Sequence, residues 1–190
     1  MRSGRTSSKW LITMLTRYPF QTVAIVAVLS LLTVTLHDRH VNDASPLPNH
    51  LAHHGETITD IATVTDGDSL ILNGEKIRLW GIDAPELNQT CAKAGTTWAC
   101  GEEAKTALTS LVTDKPVTCQ TEDIDRYNRI VAECFIGNQS INARLVKNGW
   151  AIAYRRYSMA FVDEEKTAQQ KEVGIWSGTF TQPWEWRQQQ

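Results

Sequence analysis

Histidine is absent after residue 54, and no two of the four cysteines form a Cys-x-x-Cys pair. The cysteines (Cys91, Cys100, Cys119, Cys134) match no common zinc spacing, so the globular part of the chain has nothing to favour zinc or copper. Basic residues are scarce where a nucleic-acid binder ordinarily concentrates them. Residues 1–36 hold Arg2, Arg5, Lys9 and Arg17 with no acid, a sum of +4, and the remainder carries 15 basic against 21 acidic residues, or -6. Phosphate binding by that remainder has to come from a local cluster or a bound cation, not from the overall field. Internal repeats are also lacking. With 42% hydrophobic and 21% charged residues over 190 positions, the chain has an ordinary globular composition and a length suited to one domain plus extensions.

Charge is missing altogether from Tyr18 to Leu36, a run of 19 residues and close to the ~20 that cross a bilayer as a helix. The cationic residues ahead of it predict a cytoplasmic N-terminus with the rest of the chain outside. We expect a short basic cytoplasmic segment over 1–18, a transmembrane signal anchor over 19–36 and a flexible linker over 37–55. The rival is secretion after cleavage of a signal peptide, whose apolar region is usually shorter, roughly 7–15 residues. Either way the acidic bulk lies outside the cytoplasm, periplasmic or extracellular. An even number of cysteines agrees, reading as two disulfides in an oxidising compartment rather than four reduced thiols. Ser45-Pro46-Leu47-Pro48-Asn49 disfavours helix, and the linker over 37–55 also holds all five histidines, His37, His40, His50, His53 and His54, read as solvated residues.

From Glu56 the pattern becomes β. Ile58, Ile61 and Val64 lie among threonines, and Ser69-Leu70-Ile71-Leu72 follows Asp66-Gly67-Asp68. Asn73-Gly74 is a strong two-residue hairpin signal before Lys76-Ile77-Arg78-Leu79-Trp80. Ala104, Ala107, Leu108 and Leu111 fall on one face of a helix that Pro116 stops. Val117–Gln120 and Ile130–Ile136 read as strands flanking Asp125-Arg126-Tyr127-Asn128. In a symmetric hairpin paired residue numbers share one sum; Cys119 and Cys134 would face each other if the turn centres between Arg126 and Tyr127. Cys91 and Cys100 would then close a local loop, although four cysteines allow three pairings. A second helix is expected from Ile141 to Asn148, closed by Gly149, and a third from about Phe161 to Val173, with Ser158 as a cap and Gly174 as its stop. The tail from Trp176 to Trp186 is rich in tryptophan, a residue that is highly buried on average, and is read as folding back. These elements suggest an α+β, mainly β, small barrel with packed helices.

Charge collects at the strand ends. Asp68 and Asp83 are hard oxygen ligands suited to Ca²⁺ or Mg²⁺, Glu86 is placed to act as a base, and Arg78 and Arg129 offer planar forks for phosphate. Singly, Asp66-Gly67-Asp68 is a plain turn, Asp83-Ala84-Pro85-Glu86 a loop opening, and either arginine a surface ion pair. Together they are specific.

Val64-Thr65-Asp66-Gly67-Asp68-Ser69, Ile77-Arg78-Leu79-Trp80-Gly81-Ile82-Asp83-Ala84-Pro85-Glu86 and Asp125-Arg126-Tyr127-Asn128-Arg129 resemble the three signature blocks of the staphylococcal nuclease (thermonuclease) family. Gly101-Glu102-Glu103-Ala104, Leu145–Ala151 and Gly174-Ile175-Trp176 are similar to further family landmarks, so the resemblance spans about residues 56–178, followed by a tail over 179–190. It implies an OB-fold five-stranded β-barrel with three helices, acting as a monomeric Ca²⁺-dependent nuclease on DNA and/or RNA. By the same resemblance Asp68, Asp83 and the carbonyl of Ala84 hold Ca²⁺, Asp66 stands behind them, Glu86 is the general base, and Arg78 and Arg129 grip the scissile phosphate. Asn128 stands where the family has glycine. Where the family stacks a base on tyrosines, this chain has Arg155 and Tyr157; these two and Arg126 are the expected substrate-lining residues. The insert from Leu87 to Trp98 follows Glu86 directly, a position from which it could border the groove, though the sequence does not show that it does. A catalytically silent nucleic-acid-binding barrel is the alternative, and the presence of Asp68, Arg78, Asp83, Glu86 and Arg129 together argues against it.

Overall fold

The computed structural model describes His54–Gln190. The expected basic segment, the anchor over 19–36 and all but the last two residues of the expected linker lie outside the described residues. No helix among the described residues is long and apolar enough to cross a membrane.

Strands β1 (Thr57–Ile61), β2 (Thr63–Asp66), β3 (Ser69–Leu72), β4 (Glu75–Leu79), β8 (Pro116–Ile124) and β9 (Ile130–Ile136) form one mixed sheet in the order β1-β8-β9-β4-β3-β2. Every neighbour pair on this path is antiparallel except β4–β9, and the two-residue β10 (Gln139–Ser140) adds to β9. The path's two ends, β1 and β2, are separated in the chain only by Ala62. Counted as one bent strand, they join β3, β4, β8 and β9 in a five-membered circuit, consistent with an OB-fold. Helix α1 (Cys100–Val112) packs its Ala104, Leu108 and Val112 face into the core with Leu70, Leu72, Ile77 and Leu79 from the sheet. Helix α2 (Ile141–Lys147) is capped by the Ser140 hydroxyl, which accepts the Ala143 N–H. Helix α3 (Val162–Gln170) is shorter than the expected third helix; Ser158 accepts the Ala160 N–H in the preceding loop instead of capping it. A fourth helix, α4 (Pro183–Gln188), lies in the tail.

Asn73 and Gly74 both take positive φ, 52° and 80°, as a two-residue hairpin turn requires. The β8–β9 ladder pairs Cys119 with Cys134 and holds one register sum up to Thr121↔Ala132; a bulge before Asp123↔Val131 then raises the sum by one. The extra residue moves the turn centre onto Tyr127, and Asn128 beyond it adopts φ 60°, a left-handed conformation that asparagine tolerates. His54 and Gly55, read from sequence as linker, already engage β8: the Gly55 N–H donates to the Thr121 carbonyl at 2.8 Å and the His54 ring lies 3.1 Å from the Glu122 carbonyl.

Both disulfides, Cys91–Cys100 and Cys119–Cys134, are formed and no described cysteine is free. Cys119 and Cys134 are 15 residues apart, a loop whose closure in the unfolded chain is worth about 3 kcal/mol. Replacing both by alanine is expected to lower unfolding free energy by about 2–4 kcal/mol, read from urea unfolding with slope and midpoint fitted together, since the uncrosslinked unfolded chain is more open; an unchanged unfolding free energy would contradict this.

A second apolar cluster joins Cys91, Cys100, Ile152 and Ile175 to Trp98, Trp176, Phe180 and Trp184. Here the insert folds as a hairpin of β6 (Cys91–Lys93) and β7 (Thr96–Trp98), and Ala92 and Thr179 exchange backbone hydrogen bonds of 2.9 and 2.8 Å. The insert thus clasps the tail.

Candidate active site

The β3–β4 register sets Ser69 opposite Arg78, so Asp68, one residue earlier, is carried beside the arginine. β5 (Ile82–Asp83) follows one turn later and pairs with β11 (Ile152–Ala153), which fixes Asp83. Arg78 bridges the two acids: one guanidinium nitrogen donates to Asp68 Oδ1 and the other to Asp83 Oδ1 at 2.6 Å. Asp68 Oδ2 accepts the Ala84 N–H at 2.9 Å, and Ser69 Oγ donates to Asp68 Oδ1 at 3.1 Å. Asp68 and Asp83 are 2% and 0% exposed; two carboxylates so deeply placed need charge partners. Gly67 lets the turn close, since a Cβ there would lie 2.9 Å from the Ala84 Cβ.

Glu86 is anchored through its backbone. The buried Gln89 side chain accepts the Glu86 N–H at 3.1 Å, and the Gln89 N–H donates to the Glu86 carbonyl at 2.7 Å. Gly101 at the start of α1 lies so near that a Cβ would fall 1.8 Å from the Glu86 oxygen. Helix, insert and carboxylate loop therefore meet at one point. The other end of the Gln89 amide donates to the Thr181 carbonyl at 2.7 Å, tying this loop to the tail.

A residue without any sequence signal completes the cluster. Arg187, on the last turn of α4, donates to Asp83 Oδ1 and Oδ2, both at 3.0 Å, and to Glu86 Oε1 at 2.5 Å. It pairs with Asp83 across 104 positions, and neither periodicity nor motif marks it. Despite the opposing effect of burial, Asp83 and Glu86 hold Arg187 above its ordinary pKa. Burial, reinforced by the charge of Asp68, pushes Asp66 up to about 6, as expected for a carboxyl behind other carboxylates.

The remaining predicted residues fall in two separate groups. Arg129 is held by its own turn: its Nε donates to Asp125 Oδ2 at 2.7 Å, its N–H to Asp125 Oδ1 at 2.9 Å, and its guanidinium carbon lies 5.5 Å from the Tyr127 ring centre. Burial works against the Asp125 charge, but these bonds to Arg129 hold its carboxyl below the usual range. Arg126 contacts the same ring, its guanidinium carbon 4.8 Å from the Tyr127 ring centre and its Nη2 donating to the Tyr127 hydroxyl at 2.7 Å. The parallel pairing of Ile77 with Ile130 and Arg78 with Val131 brings the Arg129 turn to the strand that carries Arg78. Arg155 is ion-paired with the buried Glu165, whose other oxygen accepts the Ala153 N–H at 2.9 Å. Tyr157 is 68% exposed and packs edge-on against Tyr154, which in turn stacks on Trp184 at 5.7 Å and 16°.

Buried paired acids, a neighbouring carboxylate and guanidinium forks form a set suited to phosphate chemistry. A model of the staphylococcal nuclease homologue family matches residues 76–178. The chain belongs to the staphylococcal nuclease family. It is a nuclease, a hydrolase of phosphodiester bonds, and its substrate is nucleic acid. The match holds Arg78, Asp83, Ala84, Glu86, Arg129, Arg155 and Tyr157; Asp68 lies ahead of it and Arg187 beyond it. The chain is 32% identical over 137 residues to the succinoglycan biosynthesis protein ExoI of Rhizobium meliloti (strain 1021), covering 70% of this chain and 72% of that protein. It is 34% identical over 138 residues to an uncharacterized endonuclease of Haemophilus influenzae, covering 68% and 72%. The probable staphylococcal-like nuclease CAN2 of Oryza sativa subsp. japonica is 32% identical over 126 residues, 65% of this chain but 32% of that longer protein.

Proposed function

We propose that this nuclease is Ca²⁺-dependent, cleaves DNA and/or RNA as a monomer, and works outside the cytoplasm. The domain extends over residues 56–178 and is held at the membrane by residues 19–36. The observation that carries the chemistry is the buried Asp68–Arg78–Asp83 bridge with Glu86 joined to it through Arg187. Among the described residues no group of three or more His, Cys, Asp or Glu side chains is arranged to hold a metal ion. The Asp68 and Asp83 carboxylates, with the Ala84 carbonyl that the family resemblance adds, are all hard oxygen donors, and such a set fits Ca²⁺, which takes its remaining ligands from water or substrate. Asp68 and Asp83 with that carbonyl would hold the ion, which supplies positive charge against the phosphate oxygens when bound.

The protein's own groups supply the rest. Glu86 takes a proton from the attacking water as its oxygen bonds to phosphorus, and the opposite P–O bond breaks with the electron pair leaving on the alkoxide. Arg78 and Arg129 face the charge that grows on the equatorial oxygens, where fixed donors are worth most. Arg126 and Tyr157 line the nucleotide's path, and Arg155 lies beside it. Two disulfides support the extracytoplasmic reading, as do the charge-free run of 19 residues and its +4 flank.

Full-length protein is expected to digest single-stranded DNA or RNA with Ca²⁺, to stop on addition of chelator and to resume when Ca²⁺ is restored. Cleavage that ignores the chelator would overturn the metal assignment, and binding without cleavage under any divalent ion would favour the silent barrel. In cell fractions the protein is expected in the membrane with its N-terminus intact; a mature N-terminus beginning near Ser45 would show cleavage instead.

A further inference from the structure

The tail helix α4 touches the site at two points on one face. Trp184 and Arg187 are three residues apart, neighbours on a helix surface. Trp184 stacks on Tyr154, and Arg187 spreads its guanidinium over Asp83 and Glu86. Asp83 Oδ1 thereby accepts from both Arg78 and Arg187, and Oδ2 accepts from Arg187. A carboxylate oxygen has two lone pairs, so Asp83 has little left to offer a cation. Glu86 likewise spends Oε1 on Arg187, the carboxylate that would otherwise receive a proton from water.

Resting on the reading that Asp68 and Asp83 hold a divalent cation and Glu86 acts as base, we propose that α4 is an intramolecular lock on this site. Arg187 stands in for the cation's charge, and cation and α4 exclude one another. Charge counting favours the exchange. Asp68, Asp83 and Glu86 against Arg78 alone sum to -2, and Arg187 brings this only to -1; one divalent ion brings it to zero. The device is also local. α4 has six residues, the Arg187 side chain is 37% exposed, and the tail before it stays fastened by the Ala92–Thr179 pair and the Gln89–Thr181 bond. Arg187 can therefore leave while the insert keeps its grip on the chain.

The test uses full-length protein, with Ca²⁺ binding followed by calorimetry and hydrogen exchange followed over residues 183–188. Arg187→Gln is expected to tighten Ca²⁺ binding at least fivefold, the low end of typical site-to-site coupling. A chain ended after Gln182 is expected to do the same. In wild type, saturating Ca²⁺ is expected to speed exchange in 183–188 while leaving that of β4 unchanged. Unchanged or weaker Ca²⁺ binding in both variants, or exchange in α4 that Ca²⁺ leaves alone or slows, overturns the lock. If wild type binds Ca²⁺ and cleaves nucleic acid, only the lock has failed; if wild type takes up no Ca²⁺, the metal assignment beneath it has failed too.

Discussion

Glu86→Gln is expected to lower the hydrolytic rate on the order of 10²–10⁴-fold, the usual worth of a positioned general base, while leaving the fold and nucleic-acid binding in place. The substitution keeps the shape of the side chain and an oxygen that can accept from Arg187. It leaves untouched the backbone contacts that position the loop, from Gln89 and against Gly101. What it removes is the ability to hold a proton taken from water. The checks are single-turnover cleavage of a labelled oligonucleotide at saturating Ca²⁺ and, alongside it, the protein's thermal midpoint. A loss confined to rate supports the assignment; robust digestion by the variant would sink it.

Arg129→Ala is the second large effect, about 10²–10³-fold on the rate by comparison with removal of other charge-stabilising donors. Its structural cost is expected to be small, because Arg129 pairs with Asp125 on a turn where both side chains are partly exposed, at 29% and 19%, and exposed pairs contribute about 0.2–1 kcal/mol. Rate and stability should therefore separate cleanly at this residue. They should not at Arg78, which is buried between Asp68 and Asp83, so its removal would leave two acids without their partner. Measured kcat together with the urea midpoint checks the claim. An Arg129→Ala enzyme with near-normal kcat would remove Arg129 from the site.

Much of this was legible in the sequence because the signals were local. Asp66-Gly67-Asp68 and Asn73-Gly74 encode two turns within four residues each, and those turns are what bring Asp68 to Arg78 across the β3–β4 pair. The shared register sum put Cys119 opposite Cys134 correctly, yet missed the bulge after Thr121 that recentres the hairpin; nothing in Glu122-Asp123 announces an unpaired residue. The tryptophans marked the tail as folding back, and Trp176 and Trp184, half-buried, do pack over Cys91, Cys100, Ile152 and Ile175. Arg187 was out of reach. Its contacts span 101 and 104 positions, and an arginine in a short helix reads as solvent-facing until the chain is folded. Arg155 is a second partner that only the fold shows: the family resemblance made it a substrate-lining residue, and its ion pair with the buried Glu165, ten positions on, carries no motif.

Direct Ca²⁺ titration by calorimetry, on wild type and on Asp68→Asn, tests the central claim most closely. Wild type is expected to bind one ion per chain, and Asp68→Asn, which keeps the side-chain shape but loses the buried charge, to show no measurable site. Equal isotherms for the two proteins would contradict the account.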